Sequence, residues 1–146
     1  MMKFLWLFSA LLFTLCHASE IRANVTAVNT AGISGAYTFS VTIKSDETGC
    51  TQYADWWEVL NQKGDLLYRR ILVHSHPDTQ PFTRSGGKVN IKADEIVYVR
   101  AHMNKLGYVG DVFKGSVAKG FRRVETTPVF KKELEKEDPL PTGCAF

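Results

Sequence analysis

Short runs in which apolar and polar side chains alternate are the feature that most constrains the fold. Residues 37–43 read Tyr-Thr-Phe-Ser-Val-Thr-Ile, and residues 97–103 read Val-Tyr-Val-Arg-Ala-His-Met. A period of two places successive side chains on opposite faces of a β-strand, so that one face is buried. No long stretch after residue 18 repeats with the period of a helix. The chain is therefore predicted to be built from strands.

Turn residues such as Gly64 separate these runs from further short apolar runs near residues 25–27, 57–59, 67–73, 89–91 and 112–117. About seven short strands with such turns predict an all-β fold, an immunoglobulin-like two-sheet antiparallel sandwich. Alternation places Trp57 between the sheets and points Trp56 outward or into a side cluster. The same parity places Met103 in the core.

The N-terminus has the three parts of a secretory signal peptide. Lys3 precedes an apolar run over residues 4–16, and Ala18 provides a small side chain at the cleavage site. We expect a leader of residues 1–18, a sandwich domain of residues 19–124 and a tail of residues 125–146. No second long apolar run follows, so we expect no membrane anchor in the mature chain. The protein is predicted to be exported, either periplasmic or secreted.

Composition argues against one class of partner. Cleavage would remove Lys3 and no acidic residue, which lowers the formal net charge from +3 to +2. The basic residues are interleaved with acidic ones, whereas a nucleic-acid surface needs a basic stripe. We therefore expect no nucleic-acid partner.

Two cysteines remain after cleavage, Cys50 and Cys144. An even pair in an exported protein is typical of a disulfide. This bond would close a loop of about 95 residues. In the chain-entropy description, such a bond stabilises the folded state by roughly 4 kcal/mol. It would also hold the tail against the domain.

Histidines provide the one candidate metal site. His74 and His76 share a face if they lie in a strand, and antiparallel order brings His102 to the same end of the sheet. Three imidazoles are a sufficient ligand set for copper or zinc, with copper preferred. Tyr53 and Asp55 would lie beside them as further ligand-binding residues.

Asp78 and Arg84 complete the predicted binding residues. Asp78 follows the histidine pair, and Arg84 could bind an anion from a loop over residues 80–87. The proline and the two glycines of that loop also fit a purely structural turn, with Phe82 packed onto the sandwich. Likewise, histidines at strand ends are commonly only solvated or hydrogen-bonded to a loop.

Several of these segments resemble a group of uncharacterised exported bacterial proteins. The resemblance extends from Gly49 to Gly110 and is carried by Tyr53-Ala54-Asp55-x-Trp57-x-Val59, Leu72-x-His74-x-His76, Gln80-Pro81-Phe82-Thr83-Arg84-Ser85, Ala101-His102 and Gly107-Tyr108. It implies export and no particular activity. Thr79 and Leu106 replace a glutamate and a histidine that are usual in the group, which would weaken a metal site. The run from Ile96 to Ala101 also resembles a strand of fibronectin type III domains.

The sequence favours a non-enzymatic binding or accessory module whose partner is a protein or a small ligand. A copper- or zinc-binding protein is the alternative. We expect no enzyme, because neither Ser75 nor Ser85 lies in a nucleophile-elbow pattern.

Overall fold

The computed structural model describes residues 20–124 and 132–145, so the predicted leader lies outside the described residues. The described chain contains eight strands and one 3-10 helix, with no helix long and apolar enough to cross a membrane. Their bounds are β1 Ala23–Ile33, β2 Ala36–Ser45, β3 Ala54–Leu60, β4 Leu66–Ile71, β5 Phe82–Val89, β6 Val97–Met103, β7 Val112–Ser116, β8 Gly120–Val124 and η1 Lys132–Lys136.

The strands form two antiparallel sheets, which confirms the predicted all-β sandwich. The three-stranded sheet has the order β1-β2-β5, and the five-stranded sheet has the order β4-β3-β6-β7-β8. The third and sixth strands are neighbours, as the immunoglobulin-like prediction requires. The described chain has one strand more than the approximate prediction of seven, because β8 pairs with β7 in a C-terminal hairpin.

The core lies between the two inner faces and follows the predicted alternation. Trp57 is fully buried there, and Gly64 has the positive φ expected of the turn that follows β3. The inner-face residues of β2, β3 and β6 that are buried in this core are Tyr37, Phe39, Val41, Ile43, Trp57, Val59, Val97, Val99, Ala101 and Met103. The prediction that Met103 packs in the core is thus confirmed.

The prediction of a loop over residues 80–87 is wrong for most of that segment. Residues 82–89 form β5, which pairs with β2 across the first sheet. Phe82 is buried in the core, as predicted. The segment was assigned to a turn because it is rich in proline and glycine, but Gly86 serves packing instead. A Cβ atom at Gly86 would lie 2.6 Å from both Trp57 Cη2 and Tyr68 Cε1.

The C-terminal segment, which we define as residues 132–145, is attached to the sandwich at several points. The predicted Cys50–Cys144 disulfide is present. Ala145 forms a parallel bridge with His74, and its amide donates to the Val73 carbonyl at 2.6 Å. Leu134 is buried against the outer side of the five-stranded sheet. The predicted boundary at residue 124 stays a prediction, because residues 125–131 are outside the described chain.

Gly86→Ala should lower the free energy of unfolding by about 1–3 kcal/mol, because overpacking forces the Trp57 and Tyr68 rings to move. Urea unfolding of the mature protein measures the change. Gly143→Ala is the matched control, since a Cβ atom there meets nothing within 4 Å, and it should change stability by less than about 0.5 kcal/mol. Equal effects of the two variants would contradict the packing explanation.

A candidate ligand cleft at the end of the five-stranded sheet

The outer face of β3 and β6 in the five-stranded sheet is buried, although period-two alternation predicts a solvated face. Glu58 of β3 and Arg100 and His102 of β6 point away from the core and are at most 5% exposed. Trp56 joins the same layer, which confirms that it packs in a side cluster. The C-terminal segment covers part of this face through Leu134. Burial of charged groups requires partners for each of them.

Glu58 provides the partner for two arginines. Its Oε2 atom accepts from Arg69 Nε at 2.8 Å and from Trp56 Nε1 at 3.1 Å, and its Oε1 atom accepts from Arg100 Nε at 2.8 Å. The Arg69 guanidinium lies over the Trp56 ring, and that of Arg100 lies over the Tyr108 ring. This carboxylate is fully buried, and both of its oxygens are occupied.

Arg69 also binds the C-terminal segment directly. Its guanidinium donates to three backbone carbonyls, those of Leu134, Glu137 and Pro139. One buried side chain therefore joins the sheet to the segment.

A β-bulge at Asp55 shapes the end of the sheet. Ala54 pairs with Met103 and Trp56 pairs with His102, so Asp55 is an extra residue on β3. The bulge allows Asp55 and Trp56 to contact His102 together. His102 Nδ1 lies 2.6 Å from Asp55 Oδ1, and the imidazole stacks on the Trp56 ring at 3.5 Å. Burial raises the pKa of Asp55, and the hydrogen bond with His102 opposes that shift.

A second carboxylate approaches the same imidazole from the C-terminal segment. Glu135 Oε1 lies 3.5 Å from His102 Nε2. A Cβ atom at Gly107 would clash with the Glu135 carboxylate, so a glycine at this position leaves room for it. His102 is thus placed between one carboxylate of the sheet and one of the segment.

These groups line a cleft of about 640 Å³ between the sheet and the C-terminal segment. The sheet side provides Tyr53, Asp55 and His102, and the segment provides Glu135 and Leu140. Burial raises the pKa of Tyr53, and the neighbouring Asp55 and Glu47 carboxylates add to the shift. The remaining lining residues include both cysteines of the disulfide and two lysines, Cys50, Cys144, Lys105 and Lys132.

His74 and His76 lie in another environment, because β4 ends at Ile71 and the following residues are irregular. Their rings are 5.0 Å apart, but His74 is exposed and His76 is buried. His76 stacks on Phe82 at 4.1 Å, and its Nε2 atom is 2.5 Å from Arg84 Nη2. Because arginine only donates, this nitrogen is the acceptor.

The predicted shared metal site of His74, His76 and His102 does not form. Residues 20–124 and 132–145 contain no group of three His, Cys, Asp or Glu residues that could hold a metal ion. The prediction was wrong because it extended β4 through His76, and because it did not anticipate that Glu135 of the C-terminal segment lies beside His102.

Of the other predicted residues, Tyr53 and Asp55 line the cleft with His102. Arg84 contacts His76, and Asp78 is exposed in the turn after it. Glu58, Arg69, Arg100 and Glu135 were not identified from the sequence. Ser75 donates to Glu47, and Ser85 pairs with Ser40, so neither serine is shown contacting a histidine.

Comparison with known proteins identifies a relative without assigning an activity. A protein of Halomicrobium mukohataei described as a "Putative lipoprotein" is 40% identical over 103 residues. The match covers 70% of this chain and 51% of the relative, so the chain spans about half the relative's length. No family model and no solved structure matches the chain. The sequence resemblance to fibronectin type III domains therefore stays a resemblance.

Arg69→Met should lower the free energy of unfolding by about 3–5 kcal/mol, because it removes one charge partner of buried Glu58 and the donor to three carbonyls. Urea unfolding measures the loss. Arg70→Met is the control on the adjacent residue, whose guanidinium donates to Ser85 O and Ile71 O. It should cost clearly less. A similar cost for both variants would show that the buried position has no special importance.

His76 should make the protein less stable in mild acid. Burial and the Arg84 charge hold the pKa of His76 below its usual value. The unfolded chain therefore takes up a proton near pH 6.5, whereas the folded chain does so only at lower pH. The free energy of unfolding should fall as the pH decreases from about 6.5 towards that lower pKa.

Urea unfolding between about pH 5 and pH 7.5 tests this dependence. His76→Gln should remove part of the slope. An unchanged slope in His76→Gln would exclude His76 as its source.

Proposed function

We propose that this protein is an exported, envelope-associated accessory module that binds a small ligand in the cleft and catalyses no reaction. Three observations support export. The first 18 residues have the pattern of a signal peptide, the disulfide suits an oxidising compartment, and the relative is described as a lipoprotein.

The cleft is the observation that carries the binding proposal. Its volume of about 640 Å³ lies within the usual range for small-molecule sites. It combines apolar walls with a few oriented polar groups, among which the Asp55–His102 pair is fixed by a 2.6 Å contact and by stacking on Trp56. Groups held in this way are preorganised for a ligand, because little order has to be gained on binding.

The surroundings of His102 favour binding over acyl transfer. An aspartate-histidine pair resembles two members of a catalytic triad, in which the other imidazole nitrogen faces a nucleophilic hydroxyl. Here that nitrogen faces the Glu135 carboxylate at 3.5 Å. A carboxylate in this position orients the imidazole and offers no hydroxyl to activate.

Nuclear magnetic resonance of the ¹⁵N-labelled mature protein tests whether the cleft binds small molecules. A panel of small amines, acids, zwitterions and sugars is added one compound at a time. A ligand of the cleft should shift the amide signals of Asp55, His102 and Gly107, which surround it. The indole signal of Trp57 is the internal control, because that ring is buried between the sheets.

Asp55→Asn is the matched variant, since it keeps the shape of the side chain and removes its charge. It should weaken the shifts while the core signals stay unchanged. A panel that gives no shifts around the cleft, or shifts that map elsewhere, would contradict the proposal. Chemical conversion of a bound compound would contradict its non-enzymatic part.

A further inference from the structure

The floor of the cleft is acidic. Asp55 is 5% exposed, and the Glu135 side chain is 25% exposed. Both carboxylates lie against the same imidazole, one at each ring nitrogen. The Glu135 carboxylate is only partly buried beside the ring, so a donor from a ligand can reach it.

Tyr53 gives a second, independent indication of a ligand. The residue is 4% exposed and lines the cleft. Its backbone is bonded to Asn104, but its hydroxyl forms no hydrogen bond with residues 20–124 or 132–145. The hydroxyl oxygen itself is accessible from the cleft, so a polar group of a ligand can reach it. This oxygen can also accept a hydrogen bond from a ligand donor at the floor of the cleft.

The rim of the cleft has the opposite charge. Lys105 and Lys132 line it and have exposed side chains. A simple cation would meet these two ammonium groups on its way to the floor, whereas a molecule with a carboxylate at its other end would pair with them. The charges of the cleft thus run from negative at the floor to positive at the rim.

We propose that the cleft binds a small zwitterion, an amino acid or short peptide, whose ammonium group lies among Tyr53, Asp55 and Glu135 and whose carboxylate meets Lys105 and Lys132. The inference rests on the proposed binding function and specifies its ligand class. The volume of about 640 Å³ is ample for a dipeptide.

Three matched dipeptides test the two ends separately by isothermal titration calorimetry. L-alanyl-L-alanine has both charges, its N-acetyl derivative lacks the ammonium, and its C-terminal amide lacks the carboxylate. The free dipeptide should bind, and the N-acetyl derivative should bind at least about tenfold more weakly. The amide should show a smaller loss.

Variants assign each end to its residues. Glu135→Gln and Tyr53→Phe should each weaken the free dipeptide without unfolding the protein, which urea unfolding checks. A variant with Lys105→Gln and Lys132→Gln together should weaken the free dipeptide and leave the amide unchanged. Glu20→Gln is the matched control, because Glu20 lines a separate cleft at the N-terminal end of the described chain.

The proposal is overturned if the N-acetyl derivative binds as well as the free dipeptide, or if Glu135→Gln leaves the affinity unchanged. It is also overturned if none of the three dipeptides binds. In that case the compound panel separates the two proposals. A neutral or acidic compound that shifts the cleft signals would leave the binding function standing and exclude the zwitterion.

Discussion

The buried Glu58 carboxylate is the interaction on which the outer half of this structure depends. It lies between the guanidinium groups of Arg69 and Arg100, with a third donor from the Trp56 indole. Without it, two positive charges would be buried side by side, at a cost of several kcal/mol each. A buried ion pair contributes little net stability compared with apolar packing, so its principal effect is to fix where the arginines lie. Arg69 then points its remaining donors at the C-terminal segment.

Among the attachments that hold that segment, two differ in kind. Arg69 binds carbonyls near its start, and the disulfide joins its end to Cys50 across 94 residues. The disulfide acts mainly by lowering the conformational entropy of the unfolded chain. In the chain-entropy description this stabilises the folded state by about 4–5 kcal/mol. It does not by itself choose how the segment lies on the sheet. The Arg69 contacts, the Ala145–His74 bridge and the packing of Leu134 fix that arrangement, in which Glu135 lies beside His102.

The sequence contained enough information for the inner face of the sandwich but not for its outer face. Alternation assigns Trp57 and Met103 to the core because apolar side chains follow a period of two. It also assigns Glu58 and Arg100 to the opposite face, yet it holds no information on what covers that face. The cover comes from residues far along the chain, whose mostly charged composition resembles a solvated tail.

Local irregularities account for the remaining errors. The bulge at Asp55 adds a residue to β3, which strict alternation does not register. Conversely, alternation was extended past Ile71, where β4 has ended, and this placed His74 and His76 on a strand. Gly86 was read as a turn residue, whereas its role is to admit two rings of the opposite sheet.

The cleft is lined by two parts of the chain, the five-stranded sheet and the C-terminal segment. Asp55 and His102 belong to the sheet, whereas Glu135 and Lys132 belong to the C-terminal segment. A ligand that contacts both parts binds only when the segment is docked, so its binding free energy adds to the stability of docking. The same linkage makes affinity depend on Arg69 and on the disulfide, although Arg69 does not line the cleft. Under the proposed function, the buried charge network acts as a positioning device, because Arg69 holds the segment that carries Glu135 without lining the cleft itself.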